Sequence, residues 1–319
     1  MAGMMILGGD FGGTFTKLGL VEDGRVAASS VIPSPSKDGL LPWLPTLKEN
    51  AKALCKTAGI ELEAIGGMVW ALPLIIDPGL RRATCSFGKF EDAKREDFCE
   101  QVEQIFGLPL RLENDARAAV IGEWQAGAGR GMRDLGMVTL GTGIGTSVIS
   151  AGRPLRGRSG MAGNLGGLSV THLGAPAKNL LPPGRTEFYA ASWTLLRRAS
   201  AMADFTKSSL TGESRLDYPA VFRHADNGDS IACQLRDEAL EAWGSVVLNL
   251  IQAHDLERVI LGGGIVVAAN GIVSVVQDFV SRHAVQAGGK VDIVAGELGD
   301  RAAIIGCEWI WNNEKKQGA

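Results

Sequence analysis

The chain has 319 residues, 45% of them hydrophobic and 21% charged, with a formal net charge of −3. This balance is ordinary for a globular protein, and the length suits two domains of about 100–200 residues better than one core. Acids and bases alternate without a basic stripe, no apolar run reaches the ~18 residues of a membrane span, and MAGMMILGGDFGG lacks the charged start and length of a secretory leader, so a cytoplasmic protein without nucleic-acid or membrane partners is expected.

In chain order, MILGG (5–9), 16–21 and 25–31 read as three short strands, the last two joined across the turn EDGR. Apolar residues at three- and four-residue spacing predict a helix over Leu41–Ala58, stopped by Gly59. GMVWAL (67–72) is a buried strand ending at Pro73; a helix over Lys94–Phe106, a short strand at Pro109–Leu112 and a helix over Asp115–Gln125 follow. The pattern then begins again. Strands are expected at Asp134–Leu140, Ile144–Ser150 and near Pro154–Arg156, helices at Glu187–Ala203 and Ser230–His254, and a strand at Arg258–Leu261. A helix near Gly271–His283, a strand at Val291–Val294 and a closing helix from Ala302 complete the series. The repetition predicts a duplicated α/β architecture with a cleft between two domains, the smaller over 1–116 plus 302–319 and the larger over 117–301.

Cys55, Cys85, Cys99, Cys233 and Cys307 are scattered and form no CxxC pair, which favours buried reduced thiols over disulfides or a zinc knuckle. Chemistry is concentrated instead in small-residue turns. GGDFGGTFTK (8–17) joins two strands through glycines that bring backbone amides close to phosphate oxygens; Asp10 suits a magnesium ion held through water, and Thr14 offers a hydroxyl. It is not a P-loop, which requires GxxxxGK[ST] before a helix, and a plain tight hairpin explains it equally well. LGTGIGTSV (140–148) repeats the design half a chain later, so the two turns together suit a polyphosphate. LGGGI (261–265) ends a strand and suits either a flat ring lying on backbone or close strand–helix packing. In RLENDARAA (111–119), Asp115 stands where a strand meets a helix, either as an N-cap or as a base that takes the proton of an attacking hydroxyl.

DFGGT, ENDARAA, LGTGIG, RGRSGMAGNLGG and LGGGI, in this order and spacing, resemble the ROK family of sugar kinases and repressors over nearly the whole chain. The resemblance implies the duplicated actin-like/hexokinase (ribonuclease H-like) fold, a homodimer, and ATP- and Mg²⁺-dependent phosphorylation of a sugar hydroxyl, usually O6. Asp115 falls on the family's catalytic base and Asn114 on its sugar-binding neighbour. Asp10, Gly12, Gly13, Thr14, Lys17, Thr142 and Gly143 match phosphate-side positions, with Gly262 and Gly263 near the nucleotide base. Where the family carries GExGH and a cysteine-rich zinc motif, this chain has GNLGG and GAPAKNLLPPGRTE: Asn164 replaces the acid, Gly167 the histidine, and no structural zinc is expected. Glu187 retains an acidic sugar contact, and His172 reads as a loop or core histidine. A substrate differing from glucose at C1 or C2, or weak binding of glucose, is implied, because a neutral Asn holds hydroxyls less strongly than a carboxylate. FGKFED (87–92) falls on the family's substrate-facing loop, which makes Lys89 either a solvated or a sugar-side residue. A sugar-responsive repressor is disfavoured by the nine residues before Asp10; a sugar-binding regulatory protein with little or no catalysis is the remaining alternative.

Overall fold

A computed structural model of the chain describes residues 4–77, 79–166, 184–285 and 290–313. Gly167, His172 and most of the GAPAKNLLPPGRTE stretch (174–187) lie outside the described residues. Contacts divide the chain into two compact units, Met1–Gly131 with Arg153–Ala162 and Glu297–Ala319, and Met132–Gly152 with Gly163–Gly296.

The first unit is built on β1 (Ile6–Phe11), β2 (Phe15–Glu22), β3 (Arg25–Pro33), α1 (Leu44–Ala58), β4 (Met68–Leu72), β5 (Ile75–Asp77), β6 (Arg82–Cys85), α2 (Phe98–Phe106), β7 (Leu110–Asn114) and α3 (Asp115–Ala126). Its sheet has the order β3-β2-β1-β4-β7, antiparallel on the β1–β2–β3 side and parallel from β1 through β4 to β7. Alternation along each strand decides what each face packs on. Leu7 and Phe11 of β1 and Leu18 and Leu20 of β2 join Leu44, Leu47, Ala51 and Leu54 of α1 and Phe98 and Val102 of α2 in one core. Trp70 of β4 anchors it, with ring centroids 4.9 Å from Phe11 and 5.9 Å from Phe106. Helix α1 ends as its pattern predicts: Gly59 takes a left-handed φ of 72° and donates its N–H to Cys55.

The second unit contains β8 (Leu135–Leu140), β9 (Ile144–Ser150), α4 (Thr186–Ala190), α5 (Leu195–Ser200), α6 (Tyr218–Asp226), α7 (Ser230–His254), β11 (Arg258–Gly262), α8 (Gly264–Ala268), α9 (Ile272–His283) and β12 (Asp292–Ala295). With the two-residue strand β10 (Arg153–Pro154), its sheet runs β10-β9-β8-β11-β12. Counted within each sheet, both follow the order third, second, first, fourth, fifth, so the duplicated α/β plan is present in full.

The last described helix, α10 (Ala302–Asn313), belongs to the first unit and covers the other face of its sheet. Gly8 and Gly19, paired across β1 and β2, face it: a Cβ on Gly8 would lie 3.2 Å from Cys307, and one on Gly19 2.8 Å from Ile304. Helix α3 lies against α10 at backbone distance. This corrects the expected boundary at 116, because α3 packs with the first unit and not with the residues that follow it.

Two further expectations need correction. The helix expected over Glu187–Ala203 is broken: Ala191 is extended, and the N–H groups of Ser192 and Trp193 donate to the carbonyls of Gly141 and Thr142 at 3.3 Å each. The chain leaves the helix to satisfy the β8–β9 turn. Likewise the helix expected from Lys94 starts only at Phe98, since Arg95 is extended and pairs with Asp97 at 2.9 Å.

The α3–α10 contact yields a stability test. A Cβ on Gly306 would sit 1.9 Å from the carbonyl oxygen of Ala118, and one on Gly122 1.9 Å from that of Ala302. Both obstacles are backbone, so Gly306→Ala is expected to lose about 3 kcal/mol or more in urea unfolding. Gly212→Ala, which meets open space, is expected to stay within about 0.5 kcal/mol.

Candidate active site

Asp10 is the penultimate residue of β1, and Lys17 stands directly across from it on β2. Their charges are 3.7 Å apart, while Lys17 also reaches Asp300 at 2.8 Å. Burial pushes the Asp10 carboxyl up to about 6, against the attraction of Lys17 and with help from the nearby charges of Asp115 and Asp300. Between the two strands the Gly12–Gly13–Thr14 turn is tied outward: Thr14 accepts a hydrogen bond from the Ser34 N–H at 3.0 Å, and the Gly13 carbonyl accepts one from the Ser36 hydroxyl at 2.8 Å. Gly12 is needed where it is, since a Cβ there would meet the Phe15 carbonyl at 2.8 Å.

Strand β7 passes into α3 without a linker, and the junction residue Asn114 is the cap. Its side-chain oxygen accepts the Arg117 N–H at 3.1 Å, and its amide donates to the Leu74 carbonyl at 3.2 Å and to Asp115 at 3.1 Å. Asp115 is therefore the first helical residue and is relieved of capping. Its Oδ1 also accepts the Ala116 N–H at 2.7 Å. Burial raises the Asp115 carboxyl above its ordinary value; the Ala116 hydrogen bond and the Lys89 ammonium pull it the other way.

Beneath this junction lies a charge cluster that the sequence reading missed. Glu113 and Arg117 are each 2% exposed. Glu113 Oε1 accepts from Arg117 Nη1 and from the Asn114 N–H, both at 2.7 Å, and Oε2 accepts from Arg156 at 2.6 Å. Arg117 goes on to the carbonyls of Leu155 at 3.1 Å and Gly160 at 2.7 Å. Burial opposes the Glu113 charge, yet the two guanidinium groups outweigh it and hold the carboxyl below its usual range. The spacing of Glu113 and Arg117, four residues apart across a strand end, was the available sign; the third member, Arg156, lies too far along the chain to be paired by pattern.

In the second unit the β8–β9 turn carries Thr142 and Gly143. Glu187 of α4 points at it: its Oε1 accepts the Ile144 N–H at 3.0 Å and would lie 2.7 Å from a Cβ on Gly143. That amide, in the turn expected to serve phosphate through Thr142 and Gly143, is thus occupied by the carboxylate. Asn164 sits between two tethers on one hydroxyl, since Thr146 Oγ1 donates to the Gly163 carbonyl at 2.7 Å and accepts the Leu165 N–H at 2.5 Å. Gly262 ends β11, and Gly263 follows it as the residue that precedes α8. A Cβ on Gly263, at φ 91°, would lie 2.3 Å from the Leu140 carbonyl, so packing alone demands this glycine. Among the described residues no three His, Cys, Asp or Glu side chains gather as metal ligands. No described helix is long and apolar enough to cross a membrane.

Residues 6–314 match the ROK family. The chain belongs to the ROK family. A glucokinase of Thermotoga maritima is 30% identical over 96% of this chain and 96% of its own length. The crystal structure of a ROK hexokinase from Thermus thermophilus superposes with a TM-score of 0.76 at 29% identity, covering 96% of this chain and 97% of that one. A ROK family glucokinase from Streptomyces griseus, in complex with glucose and AMPPNP, gives 0.76 at 25% identity over 96% and 98%. The duplicated sheets are therefore those of the actin-like sugar-kinase fold.

Two measurements follow from the electrostatics. The folded Asp10 binds its proton more tightly than the unfolded chain does, so its favourable contribution is full below about pH 4 and is lost as pH rises through about 6. Urea unfolding should show Asp10→Asn gaining about 2–3 kcal/mol relative to wild type between pH 4 and pH 7.5. Glu113→Gln leaves two guanidinium groups without their counter-charge and is expected to cost about 3 kcal/mol or more in the same assay at pH 7.5.

Proposed function

We propose that this protein is an ATP-dependent sugar kinase that phosphorylates a hydroxyl, O6 in our reading, of a hexose or hexose-like sugar, with Asp115 as general base. The observation that carries the proposal is the state of Asp115: a partly desolvated carboxylate at the first position of α3, freed from capping by Asn114, in the unit that also holds the Asp10–Thr14 turn. The ROK relatives named glucokinase and hexokinase support the same class of reaction.

In this reading the Asp115 carboxylate orients the acceptor hydroxyl and takes its proton as oxygen attacks the terminal phosphorus. The bond from that phosphorus to the ADP oxygen breaks in the same displacement. The raised pKa suits the task, because a more basic carboxylate accepts a proton more readily. Asp10 fits a magnesium ion bound through water: it is a desolvated carboxylate whose lysine partner, at 3.7 Å, leaves its charge only loosely matched. A bound Mg²⁺ would screen phosphate charge. Gly12, Gly13, Thr14, Lys17, Thr142 and Gly143 serve the phosphates in this assignment, and Gly262 and Gly263 the nucleotide base. Asn164 and Glu187 are assigned to the sugar with Asn114, whose amide is already shared with Leu74 and Asp115 and so orients the base as well. With Asn164 in place of an acid, a sugar altered at C1 or C2 is favoured over glucose.

The test is ADP release measured with ATP, Mg²⁺ and a panel of hexoses, amino sugars and cyclitols. At least one sugar is expected to stimulate release, and Asp115→Asn is expected to lower kcat by about 100-fold or more with little change in sugar affinity. The acid limb of the wild-type profile should lie above the ordinary aspartate value of about 3.9, activity falling as pH drops through it. Sugar-stimulated turnover that survives Asp115→Asn would overturn the base; a panel with no response would overturn the kinase.

A further inference from the structure

The loop Ser86–Asp92 is built at visible conformational cost. Phe87, Gly88 and Phe90 have φ of 50°, 76° and 46°, and two of these three are aromatic residues for which the left-handed region is unfavourable. The loop is nevertheless fixed at several points. The Lys89 N–H donates to the Ser86 carbonyl at 2.9 Å, and the Phe90 N–H to the Ser36 carbonyl at 2.8 Å. Phe90 is fully buried and packs edge-on against Phe11, the residue after Asp10, at 6.3 Å. Asp92 accepts the N–H groups of Leu40 and Leu41, each at 2.6 Å. Ser36 in turn donates its hydroxyl to Gly13. The loop is thus referenced to both ends of the first glycine turn.

What these tethers position is one side chain. The Lys89 ammonium would stand 3.3 Å from a Cβ on Gly13, so it lies on the face of the turn that a side chain there would fill. It makes no ion pair among the described residues, although its field reaches Asp115. A half-buried cation held beside a glycine turn and within range of the base, and not neutralised by that base, has a place for an anion.

We propose that Lys89 is a phosphate ligand of the catalytic centre, its ammonium contacting an oxygen of the terminal phosphoryl group that is transferred. This rests on the kinase reading and goes beyond it. An ammonium there would neutralise charge on the equatorial phosphoryl oxygens as they separate from ADP, and would sit between the donor phosphate and the base without taking the proton. A sugar-side lysine would serve binding of the acceptor instead, and the two roles separate experimentally.

The experiment compares wild type, Lys89→Met and Lys89→Arg for binding of AMP-PNP·Mg²⁺ and ADP·Mg²⁺ by calorimetry, and for kcat on whichever sugar stimulates ADP release. Thermal unfolding checks that each variant is folded. Lys89→Met is expected to weaken AMP-PNP about tenfold or more while leaving ADP within about twofold, and to lower kcat about 100-fold. Lys89→Arg should recover part of both losses. If Lys89→Met weakens both nucleotides alike or neither, or raises only the sugar KM, the role proposed for Lys89 is wrong while the kinase stands. If the wild-type protein binds neither nucleotide, the kinase reading itself fails and this inference with it.

Discussion

A single carboxylate, Glu113, holds the chemically important corner of the first unit together. It receives Arg117 from one turn further along α3, Arg156 from a segment that returns much later in the chain, and the backbone N–H of Asn114. Burying Glu113 and Arg117, with Arg156 half-buried beside them, is expensive in desolvation, and apolar residues of the same volume would often stabilise as well. What an apolar cluster would not supply is direction. Hydrogen bonds with fixed donors and acceptors set the rotation of the strand end, and with it the line along which α3 departs and the side on which Asp115 emerges. Arg117 extends the same control to the backbone at Leu155 and Gly160, so the returning segment is registered against the junction and not merely adjacent to it.

The glycines divide by what would happen to a side chain in their place. At Gly8, Gly19, Gly122 and Gly306 it would strike α10, α3 or their neighbours, and these positions exist to bring helices close to a sheet and to each other. Gly263 is likewise required by packing, since a Cβ there would strike the Leu140 carbonyl, and its backbone stays equally suited to a ligand. Gly13 is different: its missing Cβ faces the end of a flexible cation and not backbone.

Much of this was legible in the residues. The pattern Leu44, Leu47, Ala51, Leu54 gave α1 with its Gly59 stop, and the repeat of a strand pair around a glycine turn gave the duplicated sheets. Family membership was legible for the same reason, since five short motifs in register report on one fold. Local pattern failed where distant atoms decide. The segment after Glu187 is helical by periodicity, but the carbonyls of Gly141 and Thr142 compete for its N–H groups and break it. The hairpin of β5 and β6 was unmarked because its strands are three and four residues long. Asn114 and Asp115 are both good caps by composition, and only the geometry shows which of them caps. The position of Lys89 depends on two left-handed phenylalanines that no propensity scale would place there.

Helix α10 reaches back across almost the full length of the polypeptide. Glu308 accepts the N–H groups of Asp23 and Gly24, at 2.6 and 2.7 Å, across 285 and 284 positions. One face of the first sheet therefore waits, during synthesis, for residues made after the whole second unit. Until then the surfaces of β1, β2 and α3 that α10 will cover are bare hydrocarbon and open backbone, a state prone to association with other chains. Expression yield should thus depend on how quickly that late helix docks.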